Sequence, residues 1–421
     1  MISRRVDPFS SHDPVALVFN CHVNGLGIIR SLGEERVPVL ALDHNLRAVG
    51  LASRYATGLV CPNPKDDQAG FIAFLLDVAS GLRRKGVLYP TNDTWLMAVS
   101  DNRERLERFY EIPFSGPEVI RRCAKKEEMY ESAKEVGIPI PETLVLTGLR
   151  DAERVKRELR FPCVVKPAVP WRFPAELGSR VRICSSWSEL RDWLAANDDQ
   201  IVRENVRLIA QEKIPGGADC LYTFASYSDR TGDVVDWGVI RKIAQHPPEA
   251  GTIRMGEVVT EEAVAELGRR FVAAIGFHGL ANTEFKKDPR DGVFKLMEIN
   301  PRSGMSNCFA TRSGSNLAYL AYCDAIGRMR PTRDGKHRGR VHGRLWVVLL
   351  AAVFDILQRT LRHPLRTETV RRNVRELRLL VSRRKILAVC SLRDPLPGLA
   401  FFWWNLQRLV RRDWREQRDL R

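Results

Sequence analysis

The sequence predicts an α/β protein with two domains and a basic C-terminal extension, and three observations lead to this prediction. The chain opens on an apolar strand, a glycine-containing loop, a helix and a second strand, an order typical of Rossmann-like domains. A second region holds a helix, several strand-like runs of antiparallel type and a hairpin. Residues 332–421 are rich in arginine. We therefore expect domains at 13–115 and 116–330, and an extension of amphipathic helices at 331–421.

Composition places the chain among globular proteins. Of its 421 residues, 44% are hydrophobic and 28% charged, which excludes a disordered chain. Nine cysteines are scattered without a C-x-x-C pair, so neither a zinc site nor a redox motif is indicated. Residues 1–14 lack the apolar core of a signal peptide, and no apolar run reaches the roughly 18 residues that span a bilayer. We expect a cytoplasmic protein.

The positive charge belongs to the extension. The net charge of +16 divides into +14 for residues 332–421 and +2 for residues 1–331. The body is nearly neutral, so the charge of the whole chain does not indicate nucleic-acid binding.

The sequence of the first domain predicts a crevice for a small ligand. "VALVF" (15–19) is a buried strand, "NCHVNGLG" (20–27) a loop, "IIRSLGEERV" (28–37) a helix and "PVLALD" (38–43) a strand. The loop is not G-x-G-x-x-G, so no dinucleotide is predicted. Polar residues at such strand ends either line a small-ligand site or cap helices. They are Asn24, Gly25, Gly27, Asn92 and Asp93.

The second domain begins with one predicted helix from 118 to 136, which Gly137 and two prolines end. Antiparallel strands follow, and "GLANTEFKKDPRDGVFKLMEINPR" (279–302) predicts a hairpin with its turn at 287–292. His22 and His246 are candidate acid–base groups, although a lone histidine is more often structural.

The second strand of that hairpin carries Glu298, Asn300 and Arg302 at alternate positions, so their side chains share one face. Carboxylate and amide oxygens suit a hard cation, and an arginine fork suits phosphate or carboxylate. The simpler alternative is a polar strand end that meets water. Counting around the turn places Glu284 opposite Glu298, and two opposed carboxylates favour a cation between them.

At this point the chain resembles the ATP-grasp superfamily, specifically its carboxylate–amine ligases, over residues 13–325. The resemblance implies a Rossmann-like preATP-grasp domain and a two-subdomain ATP-grasp fold that binds ATP. Lys126, and Lys166 in "CVVKPA", match the two nucleotide lysines. In "AQEKIPGGAD", Glu212, Lys213 and Ile214 match residues at the adenine edge, and Asp219 matches the ribose acceptor. Gln211 and Ser179 complete the implied nucleotide-binding set.

The resemblance also implies the chemistry. Glu284, Glu298 and Asn300 match ligands of Mg²⁺, with two ions expected and Mn²⁺ able to substitute, and Arg302 matches the arginine that steadies an acyl phosphate. ATP would phosphorylate a small carboxylate, an amino acid or dicarboxylate, and an amine acceptor would then displace phosphate. ADP and phosphate would leave.

Two features leave alternatives open. The segment after Lys166, "AVPWRFPAELGSR" (168–180), has few of the family's glycines and serines. Either Arg172 or Arg180 binds the γ-phosphate instead, or substrate handling is altered, or the activity is lost. Lys242 and Arg254 are candidate catalytic clamps for a carboxylate, or else part of a solvated strand face. The second function class is a nucleotide-gated binding or scaffold protein without ligase turnover.

The extension admits three interpretations. "GRLWVVLLAAVFDILQRTLR" (343–362) and "TVRRNVRELRLLVSRRK" (369–385) predict amphipathic helices, and Trp403, Trp404 and Trp414 stand near arginines. Such helices can lie on an anionic membrane, pack on the catalytic body as a cap or homodimer element, or bind nucleic acid. Nucleic acid is the least favoured, because no nucleic-acid-binding motif accompanies the charge.

Overall fold

The structure is a computed structural model. It describes residues 7–169, 177, 181–247, 251–328, 342–362 and 366–411, with side chains described as far as 407.

The first domain is built on a five-stranded parallel sheet in the order β3-β2-β1-β4-β5. The strands are β1 (Ala16–Phe19), β2 (Val39–Asp43), β3 (Thr57–Val60), β4 (Gly86–Pro90) and β5 (Tyr110–Glu111). The helices are α1 (Val23–Gly33), α2 (Gln68–Ser80), α3 (Asp93–Asp101) and α4 (Arg103–Leu106). The predicted Rossmann-like opening is confirmed.

The loop predicted over 20–27 is wrong in its second half, because α1 begins at Val23. Its glycines allow close packing within the helix. A Cβ on Gly25 would lie 2.6 Å from the Asn20 carbonyl oxygen, and one on Gly27 would lie 2.2 Å from the Asn307 side-chain oxygen. The sequence indicated a turn where the structure needs a helix surface without side chains.

The helix predicted over 118–136 is two helices, α5 (Pro117–Ala124) and α6 (Lys126–Glu135). Lys125 between them is extended, with ψ at 106°. The Lys126 amide donates to the Ala168 carbonyl at 3.0 Å instead of to its own preceding turn. That contact with another strand end interrupts the helix and fixes Lys126 at the first position of α6.

Two further sheets form the second domain. A four-stranded antiparallel sheet runs β6-β9-β7-β8. Its elements are β6 (Thr143–Leu146), α7 (Ala152–Glu158), β7 (Cys163–Pro167), β8 (Arg182–Cys184), α8 (Trp187–Arg203) and β9 (Leu208–Glu212). A seven-stranded sheet runs β14-β13-β10-β11-β12-β15-β16.

The elements of the larger sheet within the second domain confirm the predicted strands and hairpin. They are β10 (Leu221–Ser228), β11 (Val234–His246), β12 (Thr252–Val259), α9 (Glu262–Ala274), β13 (Gly279–Lys287), β14 (Phe294–Asn300), α10 (Cys308–Arg312) and α11 (Leu317–Ala325). In the β13–β14 hairpin, Glu284 lies directly opposite Glu298. The count around the turn was therefore right.

The extension is part of this sheet. Its elements are β15 (Leu345–Val347), α12 (Leu349–Arg362), α13 (Thr367–Ser382), β16 (Lys385–Leu387) and α14 (Leu396–Arg411). β15 pairs antiparallel to β12, and β16 pairs parallel to β15. The helix expected through Trp346 is therefore wrong, because that residue lies in a wholly buried strand. Of the three interpretations, the structure supports packing of the extension on the body of the protein, because β15 and β16 extend the larger sheet.

The helix pair α12–α13 meets through a buried apolar cluster that includes Ile356 and Leu380, and through polar side chains. Arg359 pairs with the buried Glu376, and Asn373 donates to Thr360 at 2.9 Å. The apolar stripe of α13, by contrast, faces solvent. Its members are Val370, Val374, Leu377 and Val381, which are 46%, 41%, 46% and 84% exposed.

A buried ion pair joins the first domain to the extension. Arg30 of α1 lies 2.9 Å from Asp394, and both side chains are buried. Arg30 also donates to the Val389 carbonyl at 2.8 Å, while Asp394 accepts from Ser53 at 2.8 Å and from the Arg54 amide at 2.9 Å. Charges that are this fully hydrogen-bonded can be held away from water.

Replacing Asp394 with alanine should lower the free energy of unfolding by about 3–5 kcal/mol, because it strands the buried Arg30 cation. Urea denaturation of the full chain measures this. Asp13→Ala is the matched control, since Asp13 pairs with Arg328 in an exposed ion pair at 3.0 Å and should cost about 1 kcal/mol or less. Equal effects of the two changes would contradict the expected anchoring.

Candidate functional site

The opposed carboxylates of the hairpin are each held by a lysine. Lys242 of β11 lies 2.9 Å from Glu284, and Lys126 of α6 lies 3.4 Å from Glu298. Since the lysines come from two different structural units, the pair brings α6 and β11 to one place. Two ammonium groups therefore lie beside the opposed carboxylates.

Glu298 is held ionised by this surrounding charge. Burial raises the pKa of its carboxyl, but Lys126, a hydrogen bond from Asn300 at 3.2 Å, Lys242 and Lys166 outweigh burial and lower the pKa to about 2. A carboxylate with so low a pKa is a permanent anion at neutral pH. It can bind a cation without first losing a proton.

Lys166 of β7 is the third lysine of the site. Its Nζ donates to Gln211 at 2.9 Å and to the Tyr130 hydroxyl at 3.2 Å, and it lies 5.5 Å from the centre of the Tyr130 ring. Burial lowers the pKa of Lys166 to about 8, although Glu298 opposes this shift. A cation so poorly hydrated gains strongly from an arriving anion.

Sequence reasoning missed Tyr130. Its hydroxyl donates to the Met297 carbonyl at 2.7 Å and so ties α6 to β14, beside Glu298. The signal was available, because Tyr130 stands four residues after Lys126, which places both on one face of α6. Gln211 accepts the hydrogen bond from Lys166 and so orients that lysine. Its predicted contact with a nucleotide stays a prediction.

Glu212, which is expected at the adenine edge, carries a network of ion pairs. Glu212 is buried and lies 2.7 Å from both Arg290 and Lys295. Burial raises the pKa of its carboxyl, and these two cations outweigh burial to lower it. The Lys213 amide donates to Pro162 at 3.0 Å, and the Ile214 carbonyl accepts from Lys286 at 2.8 Å. That these residues meet an adenine edge stays a prediction.

Asp219 lies in a short 3₁₀ turn, Ala218–Cys220, and its partner comes from the extension. Arg375 of α13 approaches the Asp219 carboxylate to 3.1 Å. The two side chains are 56% and 39% exposed, so the pair is open to solvent. The residue expected to receive a ribose is therefore occupied by α13.

Arg302 links the site to the first domain. Its guanidinium binds Asp93 at 2.7 and 3.1 Å and donates to the Asn300 side chain at 3.2 Å. Burial lowers the pKa of Arg302, and Asp93 outweighs it, so the group stays charged. Asp93 begins α3, and Asn92 caps that helix through the Trp95 amide at 3.0 Å. The contact of Arg302 with Asp93 thus joins the end of β14 to the start of α3.

Several candidates lie elsewhere. Arg254 lies 3.6 Å from Asp355 of α12, which also pairs with His246 at 3.3 Å, so both are held by the extension. Asn24 is buried and donates to the Thr91 and Ser303 carbonyls at 2.7 and 2.8 Å. It fastens the first domain to the loop after β14. Ser179 lies outside the described residues.

The donor set for a metal is small. Within the part of the chain that the structure describes, no group of three or more His, Cys, Asp or Glu could hold a metal ion. Glu284, Glu298 and Asn300 nonetheless place two carboxylates and an amide on two adjacent strands. Oxygen ligands of this kind fit Mg²⁺, provided that the lysines yield their places.

Comparisons with known proteins found distant relatives of the chain. No family model matches the chain. It is 25% identical over 327 residues to D-aspartate ligase of Enterococcus faecium (strain Aus0004), covering 70% of this chain and 77% of that one. It is 24% identical over 224 residues to the N-terminal section of the carbamoyl phosphate synthase large chain of Methanopyrus kandleri (strain AV19), of which it covers 38%.

Solved structures share the fold. L-amino acid ligase from Bacillus licheniformis superposes with a TM-score of 0.60 at 16% identity, covering 78% of this chain and 79% of that one. N5-carboxyaminoimidazole synthetase from Staphylococcus aureus gives 0.57 at 14% identity, covering 76% and 78%.

The lowered pKa of Lys166 makes stability depend on pH. Between pH 8 and 10.5 the unfolded lysine binds more protons than the folded one, so the penalty of burying it is full below pH 8 and shrinks as pH rises. Lys166→Met removes that penalty, so the variant's stability relative to wild type should fall by about 1–2 kcal/mol from pH 7 to 9.5.

Chemical denaturation at the two pH values measures the change. The control is Lys134→Met, which alters an exposed lysine of α6. A difference between variant and wild type that does not move with pH, or moves equally for Lys134→Met, would contradict the lowered pKa.

Proposed function

We propose that this chain, an enzyme with the ATP-grasp fold and of the carboxylate–amine ligase type, joins a small carboxylate to an amine at the expense of ATP. The observation that carries the proposal is the opposed pair Glu284 and Glu298, with Lys126, Lys166 and Lys242 converging on it. The similarity to D-aspartate ligase supports it further.

The need for ATP follows from the chemistry of the acid. A carboxylate resists attack by an amine, because oxide would have to leave. Transfer of the γ-phosphoryl group to a carboxylate oxygen forms an acyl phosphate and ADP. The amine nitrogen then bonds to the carbonyl carbon, the carbon–oxygen bond to phosphate breaks, and the ammonium proton passes to solvent or to phosphate.

The lysines are suited to the phosphates of ATP. Lys126 and Lys166 bind a carboxylate and neutral oxygens in this structure, and both are poorly exposed. When triphosphate enters, its greater negative charge competes for these ammonium groups. Their transfer to phosphate would release oxygens of Glu298, and movement of Lys242 would release those of Glu284.

The freed oxygens would hold the metal. Glu284, Glu298 and Asn300 would bind Mg²⁺, with two ions proposed and Mn²⁺ able to replace them. When bound, the metal supplies charge that neutralises the β- and γ-phosphates. The low pKa of Glu298 keeps that ligand ionised at any physiological pH.

Arg302 would hold the reacting carboxylate. Its position between Asp93 and Asn300 faces the crevice between the first domain and β14. An arginine fork binds a carboxylate or an acyl phosphate through two parallel hydrogen bonds. An amino acid or dicarboxylate would exchange with Asp93 for one side of that fork, and the amine would approach from the same crevice.

A second candidate function is nucleotide-gated binding without turnover. The contact of Arg375 with Asp219 favours it, because α13 then occupies the proposed ribose position until nucleotide displaces it. In that function ATP would bind and rearrange the extension, but ADP would not be released.

Glu298→Gln should reduce ADP release by at least about a thousandfold, since the neutral amide would hold a metal more weakly and no longer balances the charge of the lysines. The assay uses Mg-ATP with a pool of amino acids and small dicarboxylates, followed by single acids and amines. Glu118→Gln, which alters a side chain that is 90% exposed, is the control. Stimulated release that survives in Glu298→Gln would contradict the mechanism.

Arg375→Ala should tighten ATP binding about 2- to 5-fold, because it removes a competitor worth roughly 0.5–1 kcal/mol. Asp219→Asn should instead weaken ATP binding about tenfold by removing a charged acceptor. Calorimetric titration with a non-hydrolysable ATP analogue measures both. Weaker binding by Arg375→Ala would mean that α13 contributes to the nucleotide site.

A further inference from the structure

The helix α14 presents an apolar stripe to solvent. Leucine and aromatic side chains recur along it at helical spacing. They are Leu396, Leu399, Phe402, Trp403 and Leu406, which are 56%, 63%, 50%, 61% and 37% exposed. We call these five residues the aromatic face of α14. Single exposed leucines are ordinary on protein surfaces, whereas a continuous stripe that includes tryptophan and phenylalanine is a contact surface.

The aromatic face is rigidly presented. On another side of α14, Phe401 packs against the core of the first domain. The segment that leads into the helix is fixed by the buried pair of Arg30 and Asp394. The helix therefore cannot roll inward to hide its aromatic face without breaking that ion pair, and its outward apolar surface belongs to the folded state.

The ionisable groups beside this face are cationic. Arg393 is exposed at the start of α14, and the Arg54 guanidinium donates to its carbonyl at 3.2 Å. Within the described residues 391–407, the single acidic residue is Asp394, which is fully buried and paired. In the sequence, residues 408–421 continue with six arginines against three acidic residues. The aromatic face thus lies beside the exposed Arg393 and is followed in the chain by a net positive charge.

That charge decides between possible occupants. A second copy of the chain, related by two-fold symmetry, would set arginines against arginines around the same apolar stripe. Nucleic acid would satisfy the arginines but would leave the leucines in water. An anionic lipid surface satisfies both, because tryptophan and leucine enter the interfacial layer while arginines bind lipid phosphates.

We propose that α14 is a peripheral membrane contact, through which this protein lies on an anionic bilayer with the aromatic face inserted. The helix has 16 residues, so it is about 24 Å long and is suited to lie in the plane of the surface. Among the described residues, no helix is long and apolar enough to cross a membrane. Attachment through this face would be reversible and independent of ligase turnover.

The test is co-sedimentation of the full-length protein with phosphatidylcholine vesicles, with and without phosphatidylglycerol. Wild type should sediment with the mixed vesicles and much less with phosphatidylcholine alone, and high salt should weaken binding. The double variant Leu399→Glu, Trp403→Glu should lose at least about tenfold in partitioning, because two inserted side chains become charged. Val202→Glu, at a position 61% exposed on α8, is the matched control and should bind as wild type does.

Thermal unfolding and ATP binding of the double variant establish that it is folded. Equal sedimentation of wild type and double variant, or absence of binding to the mixed vesicles, overturns the proposal. So does a wild-type dimer in light scattering that the double variant dissociates, since a second copy would then cover the face. Binding to duplex DNA that needs the arginines but not Trp403 would identify nucleic acid as the occupant instead.

Discussion

The electrostatic balance around Glu298 is the constraint on which the site depends. Glu298 is partly exposed, and its ionised carboxylate is stabilised by nearby cations. The chain supplies them from three separate places: the start of α6, the strand β7 and the strand β11. Each cation can reach Glu298 only if its own element is correctly docked, so the charge balance and the assembly of the sheets require one another.

The same balance offsets the repulsion between the two glutamates of the hairpin. Two opposed glutamates would repel each other across the hairpin, yet each has a lysine within 3.4 Å or less. The ammonium groups of Lys126 and Lys242 balance the charges of the two carboxylates. In the proposed reaction these groups are shared with the triphosphate, so the entry of nucleotide and the entry of metal are coupled through charge.

The sequence predicted what depends on local pattern. The pairing of Glu284 with Glu298 followed from alternation and a recognisable turn, and both are local properties. The break between α5 and α6 could not be foreseen, because it is caused by the distant Ala168 carbonyl. Likewise, the close approach of Asn307 to Gly27, which requires a glycine in α1, cannot be read from the local sequence.

Local sequence pattern predicted the structure of the extension even less well. Leu345–Val347 is three residues long, and its pattern fits a helix as well as a strand; the exposed edge of β12 decides the outcome. The solvent-facing stripe of α13 was visible in the sequence, but which side of the helix packs inward depends on Arg359 and Thr360 of another helix.

Arg30 and Asp394 are 364 residues apart in the sequence, and this separation has a consequence for biosynthesis. A chain emerging from the ribosome exposes Arg30 in its first domain long before Asp394 has been made. Until then α1 carries a cation on a surface meant to be covered, and β12 has an open edge that β15 will later pair. The first domain can fold early, but its final closure waits until Asp394 has been translated, so a chain released before that point leaves Arg30 without its partner.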